Sequence, residues 1–141
     1  MRQIKIARST NGDIVPAYWA TVQIVGTDRM GGHLGQEVIT QFRVDTGADL
    51  TSISRDVYNE LKAETSHRKV DIRTGDGRCS FPRVVYASLV IDGLSYTPWR
   101  GVIVTRSPHC FLGMDILDRF DLLITGDTML LEPNDQPEVK T

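Results

Sequence analysis

Apolar and polar residues alternate along this chain over short stretches, and a three-to-four spacing never persists beyond two turns of helix, so the pattern predicts strands joined by turns. Residues 17–25 form a β-forming run of Ala, Tyr, Trp, Val and Ile, and residues 38–44 alternate on approach to Val44. The intervening residues 26–36 hold four glycines and read as a loop. Residues 84–91 are rich in Val, Leu and Ile, after which Asp92-Gly93 supplies a two-residue hairpin turn into Leu94, Ser95 and Tyr96. The β pattern resumes at residues 101–104. It closes with a hairpin in which residues 122–124 and 129–131 flank Thr125-Gly126-Asp127-Thr128.

Two segments depart from this period. Ser54 is placed to cap a helix running to Lys62, with Val57 and Leu61 on one face. Residues 114–120 set Ile116, Leu117 and Phe120 on one side of a second short helix. Between them, residues 69–73 and 78–81 flank a glycine-bearing turn, Thr74-Gly75-Asp76-Gly77, as a further hairpin. From Glu132 onward Pro133, Asn134, Asp135, Pro137 and Lys140 leave too little apolar surface to order the chain. The reading is therefore one all-β domain over residues 1–131 and a flexible tail over 132–141.

Composition narrows the function classes. Forty per cent apolar and 24% charged residues with a net charge of −2 describe an ordinary globular domain with no basic cluster for nucleic acid. No apolar run approaches the roughly 20 residues that span a bilayer, and no secretory stretch follows Met1, so a cytoplasmic protein without membrane contact is expected. Cys79 and Cys110 lie far from each other and from any metal-ligand spacing, and both read as plain thiols; no metal or cofactor is expected. Gly31-Gly32-His33-Leu34-Gly35 lacks the spacing and the following helix of a phosphate loop. His33, His67 and His109 are too scattered to activate Cys110 as a nucleophile. Trp19, Trp99 and Tyr96 read most simply as core or interface anchors.

The chemistry concentrates in Val44-Asp45-Thr46-Gly47-Ala48-Asp49, an apolar strand that delivers a carboxylate into an Asp-Thr-Gly turn. Such a turn alone is ordinary structural punctuation, since an Asp at a strand end is often only a cap or turn residue. Its company raises its weight: the hairpin at Gly75-Asp76-Gly77 follows, and then Phe111-Leu112-Gly113 runs into Met114-Asp115-Ile116-Leu117.

In that order the three motifs, over roughly residues 17–131, resemble the retropepsin-like aspartic proteases, the homodimeric proteases of retroviruses and retroelements with cellular and bacterial relatives. The resemblance implies a closed acid-protease barrel with one or two short helices, a single lobe that dimerises. It also implies an aspartic endopeptidase with peptide or protein substrates. Hydrolysis by carboxylates needs two of them, one ionised and one protonated. A chain with one Asp-Thr-Gly must take the second from another copy, and two carboxylates a few ångströms apart share one proton. Asp45 is then the acid/base, Thr46 ties the two turns together, and Gly47 permits the backbone conformation and the close approach of substrate. Ala48 and Asp49 bind substrate at the cleft floor and edge, and Gly75, Asp76 and Gly77 form the flap tip. Met114 stands where retroviral members carry an arginine, and the apolar-apolar-Gly-Met-Asp run is closer to cellular and bacterial members. The alternative, from a different class, is a retropepsin-like peptide-binding or dimerisation domain without hydrolysis.

Overall fold

A computed structural model of the chain describes residues 3–9, 16–67, 70–73, 79–80 and 82–134. It is mostly β. The strands are β1 (Ile4–Ser9), β2 (Ala17–Thr27), β3 (His33–Val44), β4 (Ser52–Ser54), β5 (Ile72–Arg73), β6 (Cys79–Ser80), β7 (Val84–Val85), β8 (Ala87–Ile91), β9 (Leu94–Tyr96), β10 (Val102–Thr105), β11 (Cys110–Leu112), β12 (Phe120–Thr125) and β13 (Thr128–Pro133). Two short helices interrupt them, α1 (Arg55–Glu60) and α2 (Met114–Leu117).

All strands but β5 and β6 join one sheet, in the order β12-β13-β1-β2-β3-β11-β4-β10-β7, with β8 and β9 branching from β2. Among the described residues these pairings trace an open path with two ends, not the closed ring expected for a barrel. The branch arises because β2 shares one edge between two partners: Ala17 and Tyr18 pair with β1, whereas residues 23–26 pair with β8. Its other edge runs along β3 for almost its full length. The core lies against this sheet and is filled by Ile24, Phe42, Ile53, Leu89, Leu112 and Ile116, all fully buried.

Several boundaries differ from the pattern's expectation. The loop at 26–36 shrinks to 28–32, because Gly26 pairs with Ala87 and β3 already begins at His33. The remaining turn closes on the Asp28 carboxylate, which accepts from the Met30 and Gly32 amides at 2.9 and 2.8 Å. Helix α1 is capped as expected, the Val57 amide donating to Ser54 Oγ at 3.3 Å, but it ends at Glu60. Helix α2 ends at Leu117, and Phe120 opens β12 instead of finishing a helix. Strand β13 runs on through Glu132 and Pro133, which pair with Asp121 and Phe120, so order continues two residues past the expected tail boundary. Strand β1 has no counterpart in the sequence reading. It is the seam between β13 and β2, and Ile6 packs into the core. Asp92 and Gly93 both adopt positive φ (51° and 79°), the geometry of the tight hairpin turn that the Asp-Gly pair predicts. No helix among the described residues is long and apolar enough to cross a membrane.

Candidate active site

The Asp-Thr-Gly turn sits where three strands meet. Strand β3 runs parallel to β11, with Val44 opposite Leu112, and β11 in turn pairs antiparallel with β4 at Phe111 and Ser52. Because β11 lies between β3 and β4, the chain must cross over its end to pass from one to the other. Residues 45–51 make that crossing, so the strand arrangement itself presents the turn at the sheet's end.

Residues 112–115 then hold the crossing at four points. The Asp45 amide donates to the Leu112 carbonyl at 3.0 Å, the Met114 amide to Ala48 O at 2.8 Å, and the Asp115 amide to Asp49 O at 3.1 Å. The fourth point is the Asp115 carboxylate, which accepts from the Thr51 amide at 3.0 Å and from its hydroxyl at 2.6 Å. Thr51 Oγ1 also accepts from the Gly113 amide at 3.1 Å, so one buried hydroxyl links both segments. Burial pushes the Asp115 carboxyl above the usual carboxylate range, and the Thr51 donors pull in the opposite direction without cancelling it. Gly113 is required by contact: a Cβ there would stand 2.4 Å from the Leu50 carbonyl carbon.

Within the turn, Asp45 is partly exposed, and its Oδ1 accepts from the Gly47 amide at 3.0 Å. This is the local turn bond that an Asp at a strand end commonly makes, and here it also fixes which way the carboxylate faces. Gly47 departs from expectation in one respect. Its backbone is not in the left-handed region, so its use is steric: a Cβ would approach Asp45 Oδ1 to 3.3 Å. Thr46 and Asp49 are exposed, and neither side chain finds a partner among the described residues. Ala48 is half-buried beneath them.

The turn forms one wall of an open cleft of about 630 Å³, to which Asp45, Gly47, Ala48 and Asp49 all contribute. Leu50, Ile72 and Ile103 supply apolar surface. Asp71, Arg100 and Phe111 line it as well, and sequence patterns did not single out the first two for the site. The hairpin expected around residues 75–77 exists as β5 paired with β6, Ile72 opposite Ser80 and Arg73 opposite Cys79. Its tip, with Gly75, Asp76 and Gly77, lies outside the described residues, as does Phe81. Val70, Asp71 and Ile72, on the approach to that tip, border the cleft.

Of the remaining candidates, Cys110 is a buried thiol beside Ser54 whose ionisation burial opposes, and Trp19 stacks edge-on against His109 in the interior. Tyr96 is likewise buried, against Phe120. Trp99 is not a core residue: it is 42% exposed and carries the Arg100 guanidinium 4.4 Å above its ring.

Comparison with known proteins bears on the family and the fold. The family described as "gag-polyprotein putative aspartyl protease" matches residues 33–119, which run from the start of β3 to just beyond α2. The chain belongs to this family. No curated protein sequence matches it. Among solved structures, a retropepsin-like aspartic protease from Rickettsia conorii shares the fold with a TM-score of 0.61 and 22% identity, over 92% of this chain and 90% of that one. EIAV protease, solved with the inhibitor HBY-793, gives a TM-score of 0.52 and 21% identity over 75% of this chain and 89% of that one. The matched segment includes the Asp-Thr-Gly turn and the Gly113–Asp115 segment that holds it.

Proposed function

We propose that this retropepsin-like chain is an aspartic endopeptidase that works as a homodimer, with Asp45 of each copy forming the catalytic pair. The observation that carries this reading is the placement of one partly exposed carboxylate, oriented by the Gly47 amide, on the wall of an open cleft. A lone carboxylate cannot both activate water and protonate the substrate carbonyl; a second copy related by a two-fold axis supplies its counterpart. In the pair, the ionised Asp45 draws a proton from a water held between the two. The protonated Asp45 donates to the scissile carbonyl oxygen, and water oxygen bonds to the carbonyl carbon to give a neutral tetrahedral diol. Collapse returns a proton to the leaving nitrogen, breaks the C–N bond and restores the shared proton with no covalent enzyme intermediate.

The exposed Thr46 hydroxyl, without a partner among the described residues, suits a contact across the axis, and the exposed Asp49 suits recognition of substrate backbone. The hairpin of β5 and β6, whose tip carries Gly75, Asp76 and Gly77, serves as a flap over the cleft. An edge suited to a second copy exists as well: β12 ends the sheet, and its Leu123 and Ile124 are 59% and 58% exposed.

Incubation with a mixed peptide library across pH tests the reading. Hydrolysis peaks at acidic to mildly acidic pH, because one carboxylate must keep its proton, and an aspartic-protease transition-state analogue blocks it. A rate still climbing beyond neutrality, or one indifferent to the analogue, contradicts it. The rival reading, a binding domain without hydrolysis, requires a dimer that holds peptides and cleaves none.

A further inference from the structure

The described lining of the cleft is acidic at three points, Asp45, Asp49 and Asp71, and basic at one, Arg100. A wall carrying only carboxylates would repel an acidic peptide along its whole length. A single cation changes that locally, giving the cleft a polarity that a substrate can read.

Arg100 is placed by its turn. The Gly101 amide donates to the Pro98 carbonyl at 2.9 Å, closing a tight bend, and Gly101 holds a φ of +85°. The chain then enters β10, whose Ile103 and Thr105 also line the cleft. At the bend the guanidinium lies over the Trp99 ring, 4.4 Å from its centroid. Stacking on an aromatic face leaves the in-plane N–H donors available, and those donors match a carboxylate in bidentate fashion. No carboxylate of this chain occupies them among the described residues. Arg100 is exposed, and its one described interaction is with Trp99. The guanidinium so held offers a fork to the head of an acidic side chain.

We propose that Arg100, held over the Trp99 ring, forms a subsite for an aspartate or glutamate side chain of the substrate, so that cleavage selects peptides with an acidic residue at one fixed distance from the scissile bond. This rests on the cleft being the peptide-binding site of the proposed endopeptidase and adds to it a chemical preference. Arg100 is a specificity-determining residue here and takes no part in the proton transfers.

Cleavage-site profiling tests it, using the full chain and a proteome-derived peptide library amidated at its C termini, so that only side chains supply carboxylates. The pH is kept above the carboxylate range so that Asp and Glu are charged. For the wild type, Asp and Glu are enriched at one position, and matched Glu and Gln peptides differ about tenfold in kcat/KM. In Arg100→Gln that ratio collapses toward one, and in Arg100→Glu the preference passes to Lys or Arg. Acidic enrichment that is absent from the wild type, or that persists in both variants, overturns the subsite. Failure of the endopeptidase reading itself is separable, because the Asp45→Asn chain is also tested for binding the same Glu and Gln peptides. Selective retention of the Glu peptide by that chain, lost when Arg100→Gln is added, upholds the subsite without any hydrolysis; equal retention overturns it.

Discussion

Asp45→Asn leaves the chain folded and removes peptide hydrolysis, a loss of about 10⁴-fold in kcat of the kind that follows from deleting a general acid and base. The amide keeps the shape of the carboxylate, and its oxygen can still accept from the Gly47 amide, so the turn retains its local bond. What it cannot do is exchange the proton that alternates between the two copies. The loss therefore appears in kcat with little change in thermal midpoint or in peptide affinity. Retained turnover in this variant would mean that the catalytic acid lies elsewhere. A fallen midpoint would mean that Asp45 is chiefly a structural turn residue.

Asp115→Ala produces the largest expected effect on stability. Thr51 is fully buried, and both its amide and its hydroxyl donate to Asp115. Truncation strands two donors away from water at about 1–3 kcal/mol each, so the predicted cost is about 3 kcal/mol in urea unfolding. The same substitution loosens the crossing at residues 45–51, so activity of the surviving folded protein falls too. Asp115→Asn keeps an acceptor for Thr51 and recovers part of the loss. It also isolates the charge. The folded-state carboxyl titrates above its ordinary range, so the folded protein binds this proton more tightly than the unfolded chain does. The contribution to stability is thus complete below the unfolded aspartate value of about 3.9, and it is lost as pH rises through the raised folded value. Wild type gains on Asp115→Asn as the pH is lowered from neutrality through that window. A stability difference independent of pH would mean that Thr51 holds an ordinary carboxylate.

What the sequence revealed and what it hid follow from the range of the interactions. The turn at Asp45, Thr46 and Gly47 was legible as a turn because its bonding is local: the carboxylate accepts from an amide two residues on. The Asp92-Gly93 turn was legible for the same reason. The bond between Thr51 and Asp115 spans 64 positions, and nothing in either residue's neighbourhood announces the other. Gly113 was noticed as part of a motif, yet its reason, the contact with Leu50, belongs to the crossing of two segments. Strand β1 escaped because its Ile4-Lys5-Ile6 alternation is short, and its pairing with Met129, Leu130 and Leu131 joins opposite ends of the chain. Gly26 suggested a loop on composition alone, but pairing with β8 drew it into a strand. Trp99 was read on residue type as a core or interface anchor, and its 42% exposure excludes the core. Arg100 had no local pattern to mark it, because a lone arginine in a turn acquires meaning only from the cleft it faces.

In the proposed enzyme one chain carries half a catalyst. Mixing wild type with Asp45→Asn tests it most directly, because subunit exchange forms dimers with a single carboxylate. With the variant in about tenfold excess, activity per wild-type chain is predicted to fall to about a tenth, following the fraction of wild-type chains that still meet one another. Activity per wild-type chain that stays constant at every ratio, under conditions where exchange is shown independently, would mean that each chain holds a complete site and would contradict the shared pair.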